Sequence, residues 1–194
     1  SLQAPHGGIA LELTKHLNKI EKINNANKTV TVQAGISGPA LEVELNGHGF
    51  TCGHFPQSFE YSTVGGWIAA KGAGQASTGY GKIEDMVVAL KVVTPAGVIE
   101  TKEYPRTAQG WDIFRLFIGA EGTLGIIVEA TLNIHNYRPQ NTSYASFIFK
   151  SFEQAVAAMQ KIIQCEYGKP HLFRVSDPDE TYIAFKTKGF DNSC

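Results

Sequence analysis

Apolar and polar positions along the chain divide it into short strands, short helices and glycine-bearing loops. Ile9 to Leu13 reads as a short strand. Glu21 to Gln33 reads as two strands around the turn Asn24-Asn25-Ala26-Asn27, and the Thr/Val content of Thr29 to Gln33 suits a pleated surface. Ser37 offers an N-cap, Pro39 lies in the first turn, and Gly47 and Gly49 supply stops, so the pattern predicts a helix over 38–47. Thr51 to Ser62 reads as a loop, and Thr63 to Ala70 as a short helix opened by a glycine pair. Gly72 to Gly81 holds four glycines in ten residues and reads as irregular. Met86 to Val93 is a near-continuous apolar strand. Thr94 to Gly97 is a type I turn by its Pro and Gly positions, and Val98 to Thr101 is the returning strand. Asp112 to Phe117 reads as a short helix, Gly119 to Gly125 as a loop, and Ile126 to Ile134 as a strand.

Pro139 and the polar run Gln140 to Ser143 mark a boundary, and the pattern changes after it. Tyr144 to Phe149 reads as a strand. Ser151 to Ile163 reads as an amphipathic helix, with a Ser151/Gln154 capping box and Phe152, Val156, Met159 and Ile163 on one stripe. His171 to Val175 reads as a strand, and Asp177-Pro178 opens another helix. A β-α-β-α piece of this size leaves its own sheet uncovered. The expectation is therefore an α+β chain that is a fragment, with residues 1–138 as one domain and residues 139–194 as the beginning of a second.

Composition narrows the function classes. The chain has 194 residues, 43% hydrophobic and 18% charged, enough for a sizeable core. Seventeen Lys and Arg against eighteen Asp and Glu give a net charge of −1, which argues against nucleic acid as a partner. No apolar run is long enough to span a membrane, and Ser1 to Gly8 lacks the features of a signal peptide. Cys52, Cys165 and Cys194 are too few for a disulfide framework or a zinc cluster. His6, His16, His48, His135 and His171 show no metal-ligand spacing, so no metal site is expected.

The twenty glycines carry the chemistry. Three loops stand out: Pro56 to Gly66, Lys71 to Gly81, and Gly119 to Gly125. Glycine lets backbone N–H groups turn toward a ligand and lets the ligand approach closely. Successive N–H groups of this kind bind anions, so a neutral protein can hold a pyrophosphate without a basic patch. Ser58, Ser62 and Thr63 add hydroxyl donors. The dinucleotide fingerprint GxGxxG is not met, because Gly72-Ala73-Gly74 runs to Ser77 and follows a helix rather than a strand. The P-loop pattern is absent as well. Glu84-Asp85 reads as a loop-holding pair, and Cys52 as a small buried hydrophobe.

Five motifs then occur in order: Ser62-Thr63-Val64-Gly65-Gly66; Gly74; Tyr80-Gly81 with Glu84-Asp85-Met86-Val87; Val93-Thr94-Pro95 with Gly97; and Phe117 with Gly119 and Glu121 to Ile126. Over residues 8 to 137 the chain resembles the FAD-binding domain of the vanillyl-alcohol oxidase / p-cresol methylhydroxylase (PCMH-type) flavoprotein superfamily. Gly53-His54, Pro56, Ser58, Glu60, Ser62-Thr63 and the run Gly81 to Asp85 look closest to the alkyldihydroxyacetonephosphate synthase branch, with the D-lactate and glycolate dehydrogenase branch similar but looser.

The resemblance implies the second lobe of a PCMH-type FAD domain followed by the start of an α/β substrate cap. The first lobe and its PxGGGTS-type loop would precede residue 1. FAD is the implied cofactor. Its implied contacts are Pro56, Gln57, Ser58, Ser62, Thr63, Gly65 and Gly66 in the first loop, then Ala70, Lys71, Gly72, Ala73, Gly74 and Tyr80, then Glu121, Gly122, Thr123, Gly125, Ile126 and Ile127. Arg174 matches an arginine near the flavin in the synthase branch and would meet a substrate anion; otherwise it pairs with Asp177 or Asp179. His54 would face the flavin or cap a turn.

The implied function is that of a flavin-dependent oxidoreductase, with hydride passing from a small hydroxylated substrate to the flavin. The alternative is a synthase-like flavoenzyme of ether-lipid synthesis without net redox change. A third reading is a non-catalytic binding or assembly module. The implied partners are a small-molecule substrate and the missing lobe of the FAD domain. The implied compartment is cytoplasmic, with peripheral membrane contact or a peroxisomal location in the synthase reading. One departure leaves the exact reaction open between these readings: the synthase branch carries Thr-Arg-Ala-Ser where this chain has Ala70-Lys71-Gly72-Ala73.

Overall fold

The computed structural model describes residues 7–104, 108, 110–166 and 168–189. His6 and Cys194 lie outside them. Five strands form one antiparallel sheet in the order β1 (Ile20–Asn24), β2 (Thr29–Gln33), β6 (Ile126–Asn133), β4 (Val87–Thr94), β5 (Gly97–Glu100). β2 and β6 pair from Thr29↔Asn133 to Gln33↔Glu129, and β4 and β6 from Val87↔Leu132 to Val93↔Ile126. A second ladder joins β3 (Phe50–Thr51) to β7 (His135–Asn136).

Strand alternation sorts the two faces of the sheet. Val30 and Val32 of β2 and Ala130 and Leu132 of β6 point into the core, while Thr31 and Thr131 face away and their hydroxyls meet at 3.0 Å. Helix α1 (Gly38–Gly47) and helix α2 (Val64–Ala69) contribute Leu41, Leu45, Val64 and Ile68, all fully buried. Each such side chain contributes on the order of 2 kcal/mol on transfer from water. Ser37 caps α1 through its hydroxyl, which accepts from the Ala40 N–H.

Several elements differ from the sequence reading. Ile9 to Leu13 forms no strand, and Ile9 and Leu11 are exposed. The loop expected from Thr51 begins one residue late, because Phe50 and Thr51 pair with β7. Two single helical turns, α3 (Ser77–Tyr80) and α4 (Ile83–Met86), occupy the end of the glycine-rich stretch and the first residue of the expected strand. The Asp112 to Phe117 helix is a 3-10 turn, Ile113–Leu116.

Beyond residue 138 the two expected helices form as α5 (Phe152–Gln164) and α6 (Pro178–Thr187). Ser151 caps α5 and Asp177 caps α6, each accepting from the N–H three residues on. The expected strands Tyr144 to Phe149 and His171 to Val175 are irregular and unpaired among the described residues, with a bend at His171 and Leu172. A strand exists only by its neighbour's hydrogen bonds, so alternation without a partner yields no ladder. Among the described residues no helix is long and apolar enough to cross a membrane.

Candidate cofactor-binding site

The three glycine loops converge on α2. Thr63 is the N-cap of α2, and its hydroxyl accepts from the Gly66 N–H at 3.3 Å. At the other end, the Ile68 carbonyl accepts from Gly119 and the Ala69 carbonyl from Glu121, both at 3.0 Å. The third loop is thereby stitched to the C-terminal turn of α2. The second loop is joined to the same helix through Gly72 N–H to the Trp67 carbonyl at 3.0 Å. It is joined to the first loop through Gln75 N–H to the Phe55 carbonyl at 2.9 Å.

Two of the tightest backbone contacts explain their glycines by packing. A Cβ on Gly65 would lie 2.8 Å from the Ala34 Cβ, so glycine lets α2 sit directly on the end of β2. A Cβ on Gly74 would lie 2.7 Å from the Phe55 nitrogen, where the first two loops touch. Gly66 and Gly122 differ from these. A Cβ on Gly66 meets only the Thr63 hydroxyl at 3.3 Å, and one on Gly122 meets nothing within 4 Å. Their open sides lie on the surface of the loop cluster.

The first loop presents donors. Gln57, Ser58, Glu60 and Tyr61 are exposed. Among the described residues, the backbone N–H groups of Gln57, Ser58, Glu60, Ser62 and Thr63 make no hydrogen bond. The Ser62 hydroxyl donates to the Ser58 carbonyl at 2.7 Å and accepts from the Trp67 indole N–H at 2.6 Å, which fixes the loop against α2. The Phe59 ring stacks on Trp67 at 6.2 Å.

Beneath the loop lies His54. Its ring is fully buried, 4.9 Å from the Trp67 ring, and neither ring nitrogen has a hydrogen-bond partner. It does not cap a turn. Burial pushes its pKa down to about 4, against the opposing pull of the Glu84 carboxylate. A buried imidazole with two unpaired nitrogens is costly, so the site suits a ligand that brings a polar atom to it.

Lys71 and Glu121 adopt positive φ, 52° and 49°, and both lie at the junction of the second and third loops. A Cβ on Gly119 would sit 3.2 Å from the Lys71 Cβ. Non-glycine residues in this region cluster where the surrounding structure imposes a shape. The Lys71 ammonium is 4.0 Å from Glu84, which also pairs with Lys82 at 2.9 Å. Asp85 accepts from the Lys82 N–H at 3.0 Å.

Tyr80 packs its ring on Gly53, where a Cβ would lie 2.6 Å from it, and its other neighbours are His135 at 4.6 Å and His171 at 4.3 Å. His171 is therefore the ring by which the segment after residue 138 touches this cluster. Arg174 stands apart. It is 68% exposed and pairs with Glu180 rather than Asp177 or Asp179. The segment around it is not the ordered strand that the sequence suggests. Ile127 is buried in β6, whereas Ile126, Glu121, Gly122 and Thr123 are exposed.

Sequence reasoning missed Glu42 and Trp67. Glu42 is the one charged side chain buried on α1, and Trp67 supplies the ring against which both His54 and Phe59 rest. The signal for Glu42 was a carboxylate at the Leu41/Leu45 face of a short amphipathic helix.

Taken together, unpaired backbone donors, small residues at Ala70, Gly72 and Ala73, and an orphaned buried imidazole fit a flavin dinucleotide. The comparisons agree. Residues 1–102 match the FAD binding domain family. The chain is 41% identical to the alkyldihydroxyacetonephosphate synthase of Dictyostelium discoideum over 90% of its own length and 28% of that protein. It is 32% identical to a mitochondrial D-lactate dehydrogenase [cytochrome] of Saccharomyces cerevisiae over 80% of its length and 26% of that protein. A solved alkyldihydroxyacetonephosphate synthase structure superposes with a TM-score of 0.82 at 40% identity, covering 90% of this chain and 31% of that one. The chain thus spans under a third of these relatives. The fold, the loop cluster and the matched residues agree that this chain belongs to the FAD binding domain family and is a flavoprotein segment of mixed α+β structure.

Proposed function

We propose that this chain is the FAD-holding part of a flavoenzyme of the alkyldihydroxyacetonephosphate synthase type. The observation that carries this reading is 41% identity to the Dictyostelium synthase over 90% of the chain, against 32% to the D-lactate dehydrogenase over 80%. In this reading residues 1–138 are the FAD lobe and residues 139–194 open a substrate cap. Among the described residues all ladder strands precede residue 138, which supports the division.

The backbone donors of Gln57 to Thr63 would hold the pyrophosphate. Ala70 to Ala73 would leave room for the flavin ring. The loop Glu121 to Gly125 would close over the remainder. His54, buried and unpaired, would offer a ring nitrogen toward the bound cofactor. Arg174, able to exchange Glu180 for another anion, would meet a substrate phosphate. Bound FAD would supply an electrophilic ring system able to accept electron density from the substrate. The protein residues bind, orient and exclude water.

The second reading, an FAD-linked oxidoreductase of a small hydroxy acid, has its own support. An FAD-linked oxidoreductase YgcU of Escherichia coli is 36% identical over 84% of the chain. Ala70-Lys71-Gly72-Ala73 also departs from the synthase branch. One experiment separates the two. The full-length protein is mixed with an acylated dihydroxyacetone phosphate and a long-chain alcohol, and in parallel with D-lactate or glycolate. Alkyl-ketone phosphate formation without flavin bleaching supports the synthase reading. Bleaching by a hydroxy acid, with no alkyl product, overturns it.

A further inference from the structure

Glu42 belongs to no glycine loop, yet it is bonded to the segment from which the first loop departs. The residue is 7% exposed. One oxygen accepts from the Cys52 N–H at 2.8 Å and the Gly53 N–H at 3.2 Å, and the other accepts from the Thr51 hydroxyl at 2.8 Å. The Thr51 oxygen in turn accepts from the Gly53 N–H at 3.1 Å. Strand β3 ends at Thr51, so Cys52 and Gly53 have no ladder to satisfy their buried N–H groups. Glu42 supplies that acceptor.

We propose that Glu42 is a positioning residue of the cofactor site, whose buried carboxylate sets the course of Thr51 to His54 and thereby the docking of the first glycine loop on the second. The inference rests on the reading that FAD is held by these loops. Three steps connect the carboxylate to them. Gly53 adopts φ +75° and packs under the Tyr80 ring, so the turn has no freedom to shift. The next residue is His54, buried against Trp67. The residue after that, Phe55, accepts the Gln75 N–H that joins loops one and two.

A carboxylate is suited to this place because three donors converge on it and it carries no hydrogen of its own to misplace. Burial raises its pKa, and the bonds from Thr51, Cys52 and Gly53 pull the other way. An amide of the same shape retains an oxygen for the two backbone N–H groups and turns its NH2 toward the Thr51 oxygen. Geometry is then kept and charge is lost. Alanine loses the acceptor and leaves two buried N–H groups unpaired.

The test uses the full-length protein and FAD itself, with affinity read from flavin fluorescence and loop geometry read from the bound-flavin spectrum. E42A is expected to weaken FAD binding by about tenfold or more, the loss that follows from removing charge-assisted hydrogen bonds. E42Q is expected to restore affinity to within about threefold of wild type and to restore the spectrum. If E42A does not fold, E42D takes its place: it keeps the charge but withdraws the carboxylate by one methylene, and the same weakening is expected. Wild-type affinity and spectrum in E42A, or in E42D where E42A is unfolded, would overturn the inference. So would an E42Q variant as weak as E42A. A wild-type protein that binds no FAD would overturn the functional reading and not the role of Glu42 in the loop.

Discussion

The Glu121 N–H donates to the Ala69 carbonyl at 3.0 Å, and this bond holds the third glycine loop on the last turn of α2. Glu121 takes φ +49° to make it, and Lys71, two residues past Ala69, takes φ +52°. Two strained residues on facing segments indicate a junction whose shape is imposed rather than locally preferred. The neighbouring glycines, Gly66 and Gly122, then present backbone where no side chain intrudes.

Those two glycines give the first prediction. Gly66→Val and Gly122→Val add bulk to open surface, so neither collides with the core. Gly122→Val also forces a branched side chain into φ +81°, at a local cost of about 1–2 kcal/mol. Both variants of the full-length protein are expected to keep wild-type far-ultraviolet circular dichroism and to lose bound flavin. Purified variants with undiminished flavin absorbance would remove these loops from the site.

His54 gives a pH dependence with a definite sign. Its folded pKa lies near 4, below the ordinary 6.5, so between those values the unfolded chain binds the extra proton. Stability is present above pH 6.5 and is lost as the pH falls toward 4, by up to about 3 kcal/mol. Glu42 acts in the opposite sense: its pKa is raised, so its contribution declines as the pH rises past the ordinary carboxylate value. Urea denaturation of wild type and His54→Leu across this range reads the difference. The variant is expected to show the shallower decline, and parallel curves would contradict the assignment.

Much of the sheet was legible in the chain because each strand carries its own Thr/Val or apolar run, although β2 and β4 both pair with the distant β6. Thr29 to Gln33 and Ile126 to Asn133 follow their patterns to within a residue. Ser37 and Pro39 announced α1 correctly. Ile9 to Leu13, Tyr144 to Phe149 and His171 to Val175 carry apolar residues in strand-length runs but find no ladder among the described residues, since pairing is a property of two strands and residue content of one. Ser77 to Tyr80 coils despite Gly79, and the Ser77 hydroxyl accepts from the Gly74 N–H just before the turn. In the site, loop glycines were visible as glycines, but their division was not. That Gly65 and Gly74 serve packing while Gly66 and Gly122 stay open depends on Ala34 and Phe55, which are distant in sequence.

Cysteine chemistry supplies a third prediction. Cys52 is fully buried, and burial with the nearby Glu42 charge pushes its thiol up to about 12. Cys165 is exposed. Iodoacetamide at pH 8 is expected to label Cys165 in the native protein and to leave Cys52 unmodified until denaturant is added. Native labelling of Cys52 would show that the Glu42 segment opens readily.

Arg174 is tested through its partner. The exposed pair with Glu180 is worth no more than about 1 kcal/mol of stability. In the full-length enzyme, Arg174→Lys is expected to cut kcat/KM about tenfold through loss of a bidentate anion contact. Glu180→Gln is expected to leave kcat/KM within about twofold. Equal effects of the two substitutions would assign Arg174 to the ion pair alone.

The central claim, that the loop cluster around α2 holds FAD, is tested most directly by the flavin content of the full-length protein after reconstitution with excess FAD and gel filtration. The account predicts one FAD per chain in the wild type and a colourless protein in the Gly66→Val and Gly122→Val double variant. A wild-type protein that emerges without flavin, or a double variant that retains a full complement, would contradict it.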